Sequence, residues 1–332
     1  MKSIDQKEYA IALHAGAGVI SRDIDSDVRD GYLASLEEAL IIGRDLLSNG
    51  ASSLDAVETV IRYLEDDERF NAGRGAVFTS EGKHELDASI MSGADLDAGA
   101  VTGVRTVRNP ISLARKVMEE SRHVMFAGDG AEQFADQTGL ERVENSFFST
   151  ERRRQQLERA QEQAEVWLDH SDEKQDARAS ETTSSSARGK AGNAGDGRYS
   201  TVGVAALDRD GNLAAGTSTG GMTNKMPGRI GDSPVIAAGT YADNNSCAVS
   251  ATGHGEKFIR NAVAYQICAI MEYRGATLEE AARTVIHGKL DEGDGGIIAV
   301  DRFGNISMEF SSPGMFRGAA DSEGRFEVAI WN

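Results

Sequence analysis

The stretch SDEKQDARASETTSSSARGKAGNAGDGRYS (171–200) runs directly into TVGVAALDRDGNLAAGTSTGG (201–221), and the boundary between them decides the fold. The first part has almost no apolar side chains, so it cannot bury enough surface to offset the entropy of ordering it. A flexible tract of roughly 30 residues inside one domain is expected only as a functional loop or a linker. The second part alternates small and apolar residues and predicts two strands joined at Asp208–Gly211, where the Asp-Gly step suits a tight turn. The chain thus passes abruptly from a segment that cannot pack to one that must.

Working toward the C-terminus, Ser250 to Gly255 leads into a predicted helix over Glu256–Tyr273, and another begins near Thr277. GIIAVDRFGNISMEF (296–310) and RFEVAIW (325–331) read as strands. Toward the N-terminus, Tyr9–Leu13 reads as a buried strand entering a small-residue turn, His14–Gly18. Helices are predicted over Val28–Ser48, stopped by Asn49-Gly50, and over Ser53–Asp66, with Ser52 three residues before Asp55 as its cap. FNAGRGAVFTSEGKHELDASIMSG (70–93) places a glycine-rich loop before a strand pair, followed by a short helix near Ser112–Glu119 and a strand at His123–Phe126. The charged stretch 151–170 is helix-like. Strand-rich halves with helices grouped between them suggest two packed sheets covered by helices.

Composition bounds the function. A length of 332 residues suffices for one large α/β domain. No apolar run approaches the roughly 20 residues that span a bilayer. MKSIDQKEYAIAL (1–13) lacks an apolar core followed by a small-residue cleavage site, so a cytoplasmic protein is expected. A formal charge of -18 argues against nucleic acid and anionic membrane as partners. It fits either plain solubility or a halophilic protein working in concentrated salt, where acidic self-repulsion is screened. Two cysteines, Cys247 and Cys268, are too few for a disulfide framework and read as small buried hydrophobes.

Several chemistries drop out. Gly16-x-Gly18 is followed by Ser21 where a dinucleotide fingerprint needs its third glycine. The six histidines are scattered, without H-E-x-x-H or paired Cys/His spacing, and G-x-S-x-G is absent. What remains is threonine, arginine and aspartate around glycines in the second half.

Those residues carry a resemblance. Residues 201–244, followed by SATGHGEKFIRNAVAY (250–265), resemble the β-subunit of the plant-type asparaginase and isoaspartyl peptidase family of N-terminal-nucleophile hydrolases. LHAGAG (13–18), residues 70–91, GAVTGVRTVRNPISLARKVM (99–118) and GDGAEQFA (128–135) extend it over nearly the whole chain except the polar tract. The fold this implies is a four-layer αββα sandwich, one domain over 1–332. Its precursor would cleave itself into an α-subunit (1–200, with a flexible polar tail at about 170–200) and a β-subunit (201–332).

By the same resemblance Thr201 is the nucleophile, and Ser200–Thr201 is the autocleavage bond. The chemistry is sensible: cleavage frees an α-amine with a reference pKa of about 7.7–8.0, which can serve as base for its own hydroxyl. Thr219 would orient that hydroxyl, Thr252 and the Gly253 N–H would form the oxyanion hole, and Asn71 would assist processing. Arg229 and Asp232 would clamp the α-carboxylate and α-ammonium of a free amino-acid head group. L-Asparagine and β-aspartyl dipeptides both present that head group.

No cofactor is implied for catalysis. A structural sodium ion is implied, on backbone carbonyls of Leu64, Glu65, Phe70, Ala72 and Arg74. A dimer of cleaved αβ units acting on small molecules is the implied assembly. Two departures stand out: Ser200 occupies a position usually glycine, which bears on the rate of self-cleavage, and Ala15 replaces a glycine of the usual HGGAG turn. The alternatives are a glycosylasparaginase and an uncleaved, inactive relative acting as a binding protein.

Overall fold

The central strands are buried along their whole length and the helices on one face, in the computed structural model, which describes residues 6–163 and 201–332. The first half contains β1 (Ala10–Gly18), α1 (Ser26–Ser48), α2 (Ser53–Asp66), β2 (Leu86–Ser92), β3 (Ala98–Val104), α3 (Pro110–Glu120), β4 (Met125–Ala127), α4 (Gly128–Thr138) and α5 (Glu151–Glu162). The second contains β5 (Val202–Leu207), β6 (Leu213–Thr219), β7 (Thr240–Ala242), β8 (Cys247–Gly253), α6 (Gly255–Asn261), α7 (Val263–Arg274), α8 (Leu278–Lys289), β9 (Gly295–Asp301), β10 (Ile306–Ser307), β11 (Gly314–Asp321) and β12 (Phe326–Ala329). The polar tract 170–200, Ser200 included, lies outside the described residues.

An eight-stranded sheet runs in the order β12-β11-β1-β5-β6-β2-β3-β4, and a four-stranded sheet in the order β10-β9-β8-β7. Successive side chains point to opposite faces, so each central strand serves two cores. In β1 and β5, Ile11, Leu13, Val202, Val204 and Ala206 join a cluster with Leu36, Leu40, Val57 and Ile61 of α1 and α2. Their alternates Ala10, Ala12, Ala205 and Leu207 meet Ala248, Ile298 and Val300 of the smaller sheet. The other face of that sheet, Cys247, Val249, Ala251, Ile297 and Ala299, packs on Ile267 of α7 and on Val285 and Ile286 of α8. The layer between the sheets is built largely from alanine, so the two backbones approach closely where the site lies.

Local signals explain the helix ends. Asp25 caps α1 by accepting from the Asp27 and Val28 N–H groups at 3.0 and 3.3 Å. Ser52 caps α2 by accepting from Asp55 N–H at 3.1 Å, and Thr277 with Glu280 forms a reciprocal capping box on α8. At the predicted hairpin, Asp208 Oδ1 accepts from the N–H groups of Asp210 and Asn212, locking the turn.

The structure revises three expectations. His14–Gly18 is not a turn but the continuation of β1, with a register shift between His14 and Ala17. Gly16 at φ 113 carries that irregularity. The helix expected over 256–273 is two helices broken at Ala262, whose φ is 44. The break is held because the first N–H groups of α7 have other acceptors: Ala264 and Tyr265 donate to the Ala238 and Ala237 carbonyls at 3.2 and 2.9 Å. The expected strand at 123–126 shrinks to β4, which pairs parallel to β3. The two cysteines are buried as expected and touch, with sulfurs 2.8 Å apart. No helix among the described residues is long and apolar enough to cross a membrane.

Candidate active site

Strand register brings the threonines together. Val202 pairs with Ser218, and continuing by one residue sets Thr201 opposite Thr219. The Thr201 hydroxyl donates to Thr219 Oγ1 at 3.0 Å, and Thr219 Oγ1 also accepts from the Gly221 N–H at 2.9 Å. Both threonines are buried. Thr201 has φ 45, a left-handed conformation that a β-branched residue adopts only under strain. Its carbonyl oxygen accepts from His14 Nδ1 at 3.1 Å.

Asn71 stands one step back from the hydroxyl pair. Its Nδ2 donates to the Gly221 carbonyl at 2.7 Å, its Oδ1 accepts from Val77 N–H at 2.9 Å, and its own carbonyl accepts from Gly220 N–H at 3.0 Å. It therefore fixes the Gly220-Gly221 turn that follows Thr219, and contacts Thr201 only through that turn.

The other sheet supplies Thr252 and Gly253 at the end of β8. Thr252 Oγ1 is fully buried and has no hydrogen-bond partner among the described residues. An orphaned buried hydroxyl is costly, and natural sites that keep one generally use it. Gly253 has φ 151 beside β9, and a methyl group there would lie 2.1 Å from the Asp294 carbonyl oxygen, so no other residue fits. Gly203, two residues along β5 from Thr201, lies against Ser250, two residues along β8 from Thr252: a methyl at Gly203 would sit 2.0 Å from Ser250 Oγ.

Charged groups form the third part. Arg229 binds Glu256 through two parallel bonds, Nε to Oε1 at 3.0 Å and Nη2 to Oε2 at 2.9 Å, leaving Nη1 alongside Gly221 and Gly231. Burial alone would push the Glu256 carboxyl up, but the Arg229 hydrogen bonds and charge outweigh it and hold the group below its ordinary value. Asp232 follows three residues after Arg229, whose two bonds go to Glu256. It is buried against Gly255, and its Oδ2 has no partner among the described residues. Desolvation pushes its pKa from 3.8 to about 7, against the opposing pull of backbone hydrogen bonding and the Arg229 charge.

Four residues absent from the sequence-based set belong to this neighbourhood. Glu256 holds Arg229, and His14 holds the Thr201 carbonyl. Asp87 faces Thr219 in the β2–β6 register and keeps a buried, unpartnered Oδ2. Lys225, buried, donates from Nζ to the Glu85 carbonyl at 2.8 Å. Its pKa is lowered by burial, against the raising influence of Asp87 and Glu85. The one sequence signal for Glu256 was an acidic residue in the first helical turn after Thr252-Gly253.

The residues of the expected sodium loop are contiguous with the site. Leu64 and Glu65 end α2, and Phe70, Ala72 and Arg74 lie in the following loop. The Glu65 carbonyl accepts from Arg74 N–H at 2.6 Å. Gly73 and Gly75 have φ 49 and 98, and a methyl on either would lie 2.4 Å from the carbonyl oxygen of Glu65 or Glu68 respectively. Both glycines thus pack against backbone carbonyls, the first against Glu65 and the second against Glu68 and Phe70, where no side chain fits.

With this geometry in view, comparisons with known proteins are direct. The family profile described as asparaginase matches residues 7–330. An isoaspartyl peptidase of Escherichia coli K12 is 48% identical over 316 residues, covering 92% of this chain and 91% of that protein. A probable isoaspartyl peptidase/L-asparaginase 2 of Arabidopsis thaliana is 44% identical over 323 residues, covering 97% of this chain and 99% of that protein. A bovine isoaspartyl peptidase/L-asparaginase is 40% identical, covering 96% and 95%.

Proposed function

Since the chain belongs to the asparaginase family, we propose that it is a hydrolase of isoaspartyl (β-aspartyl) dipeptides and L-asparagine that acts through Thr201 as nucleophile and releases L-aspartate. The observation that carries this reading is the pairing of the Thr201 hydroxyl with Thr219 beside a strand end that offers an orphaned buried hydroxyl, Thr252, and an obligate glycine, Gly253. In keeping with the family, the two sheets and their flanking helices are read as an αββα sandwich, which the three separate cores support.

Activation begins with the chain itself. The Thr201 hydroxyl attacks the Ser200 carbonyl carbon, and its proton passes to the Thr201 nitrogen as the C–N bond breaks, which frees the amine and leaves the acyl group as an ester on Oγ1; water then hydrolyses the ester to free the hydroxyl and the Ser200 carboxylate. The strained φ of Thr201 favours this step, because cleavage releases a conformation costing about 1–3 kcal/mol. The free amine then takes the hydroxyl proton as Oγ1 attacks the β-carbonyl of the substrate. Negative charge develops on the carbonyl oxygen, where the Thr252 hydroxyl and the Gly253 N–H donate. The leaving amine departs with a proton, and water cleaves the β-aspartyl ester.

The clamp explains the substrate class. Arg229, aligned by Glu256, presents its remaining edge to the α-carboxylate. The Asp232 carboxyl, half protonated near neutrality while it lacks a partner, ionises when the α-ammonium supplies one. We further propose that the loop from Leu64 to Arg74 holds a sodium ion on its carbonyl oxygens, a structural role that orders the loop carrying Asn71.

The test is mass spectrometry of denatured protein with assays on a β-aspartyl dipeptide and L-asparagine. Wild type should separate into chains 1–200 and 201–332, and Thr201→Ala should stay whole and inactive. An intact wild type with full activity, or an active Thr201→Ala, would falsify the mechanism.

A further inference from the structure

His14 lies on β1, and the β1–β5 ladder ends with the pair His14↔Gly203. Beyond it β1 shifts register, so the backbone ladder between these strands stops short of Thr201. The side chain takes over where the backbone stops: His14 Nδ1 is 3.1 Å from the Thr201 carbonyl oxygen and Nε2 is 3.0 Å from Ser250 Oγ. The imidazole is wholly buried.

The direction of these bonds follows from chemistry. A carbonyl oxygen can only accept, so Nδ1 carries the proton, and the neutral ring's Nε2 must accept from the Ser250 hydroxyl. Ser250 has then used its one proton and accepts from Thr217 Oγ1 at 2.7 Å, which is nearer than the alternative acceptor of Thr217, the Gly239 carbonyl at 3.1 Å. Thr217 in turn accepts from Thr240 at 2.6 Å. Ser89, 2.8 Å from Thr240, ends the row, because its one proton has a nearer acceptor in the Ser233 carbonyl at 2.6 Å. The hydroxyls of Ser250, Thr217 and Thr240 thus all donate toward Thr201. Each link strengthens the next in a site shielded from water.

We propose that His14 is a positioning residue: with its hydroxyl chain Ser250-Thr217-Thr240 it fixes the Thr201 carbonyl, and thereby aims the nucleophile's hydroxyl and amine at the substrate. This rests on the reading of Thr201 as nucleophile. Holding the carbonyl fixes the peptide plane between Thr201 and Val202, and the plane fixes the Cα that bears both reacting groups. Burial, only partly opposed by the Thr201 hydrogen bond, pushes the His14 pKa down to about 3, so the ring stays neutral and keeps one donor and one acceptor throughout the working pH range.

The test compares two amides. In His14→Asn the amide nitrogen falls near the position of Nδ1 and keeps the donor to Thr201; in His14→Gln it falls near Nε2 and loses it. Rates are taken per cleaved chain, counted by intact mass, with melting curves alongside. His14→Gln should lower kcat by about 100-fold with KM little changed, the scale expected for a nucleophile displaced by roughly 1 Å, and His14→Asn should recover about tenfold or more of that loss. Wild-type kcat in His14→Gln, or equal losses in both variants, overturns the proposal. Should His14→Gln fail to fold or to cleave, Ser250→Ala removes the donor to Nε2, and with it the acceptor of Thr217, and should lower kcat by roughly tenfold, the scale of one net hydrogen bond; unchanged kcat there overturns it equally. An active Thr201→Ala would instead sink the nucleophile assignment, so the two failures are distinct.

Discussion

Replacing Thr252 with valine exchanges a hydroxyl for a methyl group of similar size in a fully buried position, and it should separate catalysis from stability. Thr252 Oγ1 has no hydrogen-bond partner among the described residues, so the folded protein carries the cost of desolvating it. An unsatisfied buried polar group costs about 1–3 kcal/mol, and removing it returns part of that. The variant should therefore melt at the same temperature as wild type or a few degrees above it. Catalysis should move the other way. One oxyanion donor contributes about 3–4 kcal/mol to the transition state, hence a fall of roughly 10²–10³ in kcat with KM nearly unchanged, because the charge it meets exists only after attack. Steady-state kinetics on a β-aspartyl dipeptide and a thermal melt, both on cleaved protein, suffice. A Thr252→Val enzyme with wild-type kcat, or one that is markedly less stable, would refute the assignment of this hydroxyl to the reaction.

Four other outcomes are expected. The acid limb of kcat/KM should have a slope of about two below pH 7, because both Asp232 and the Thr201 amine must lose protons, and Asp232→Asn should reduce it to about one. In the ligand-free protein the same carboxyl, raised from 3.8 to about 7 by burial, contributes stability that is complete below pH 3.8 and is lost as pH rises through 7, so Asp232→Asn should flatten a plot of stability against pH over that interval. Arg229→Ala should cut kcat/KM on L-asparagine by about 10²-fold or more while the chain still cleaves, since the guanidinium meets substrate and not the scissile peptide; unchanged kcat/KM removes it from the site. Activity and melting temperature should rise from tens of millimolar to molar salt if the charge of -18 is an adaptation to salt, and a flat response would leave that reading unsupported.

The parts of the fold legible in the sequence were those set by neighbours along the chain. Ser52 and Asp55, the Asp208–Gly211 turn and the alternation in 201–219 all act over a few residues, and each does locally what the pattern implied. The misread elements were decided from afar. Ala262 breaks a helix that its own neighbours would continue, because the carbonyls of Ala237 and Ala238 take the next helix's first N–H groups. His14–Gly18 has the composition of a turn, yet it continues the strand because Ala17 and Gly18 pair with Met315 and Gly314 of β11, beyond the point where the ladder to β5 ends.

The site divides along the same line, and the division says where its chemistry comes from. Thr201 and Thr219 are 18 positions apart, and the hairpin of β5 and β6 sets them side by side, as the resemblance implied. Arg229 and Asp232 are three apart, yet Glu256, 27 positions from Arg229, takes the guanidinium. Asp232 is buried with its Oδ2 unpartnered among the described residues, and burial raises its pKa to about 7. A satisfied Asp232 would be an ordinary ionised carboxylate with little to gain from an ammonium ion. The same holds for Thr252 in the proposed mechanism, where its hydroxyl is available to an oxyanion because no group among the described residues already holds it. What equips this site for its substrate is thus a set of withheld partners. Only the tertiary fold, by routing Arg229 to Glu256 and ending β8 against β9 at Gly253, determines which groups are left wanting.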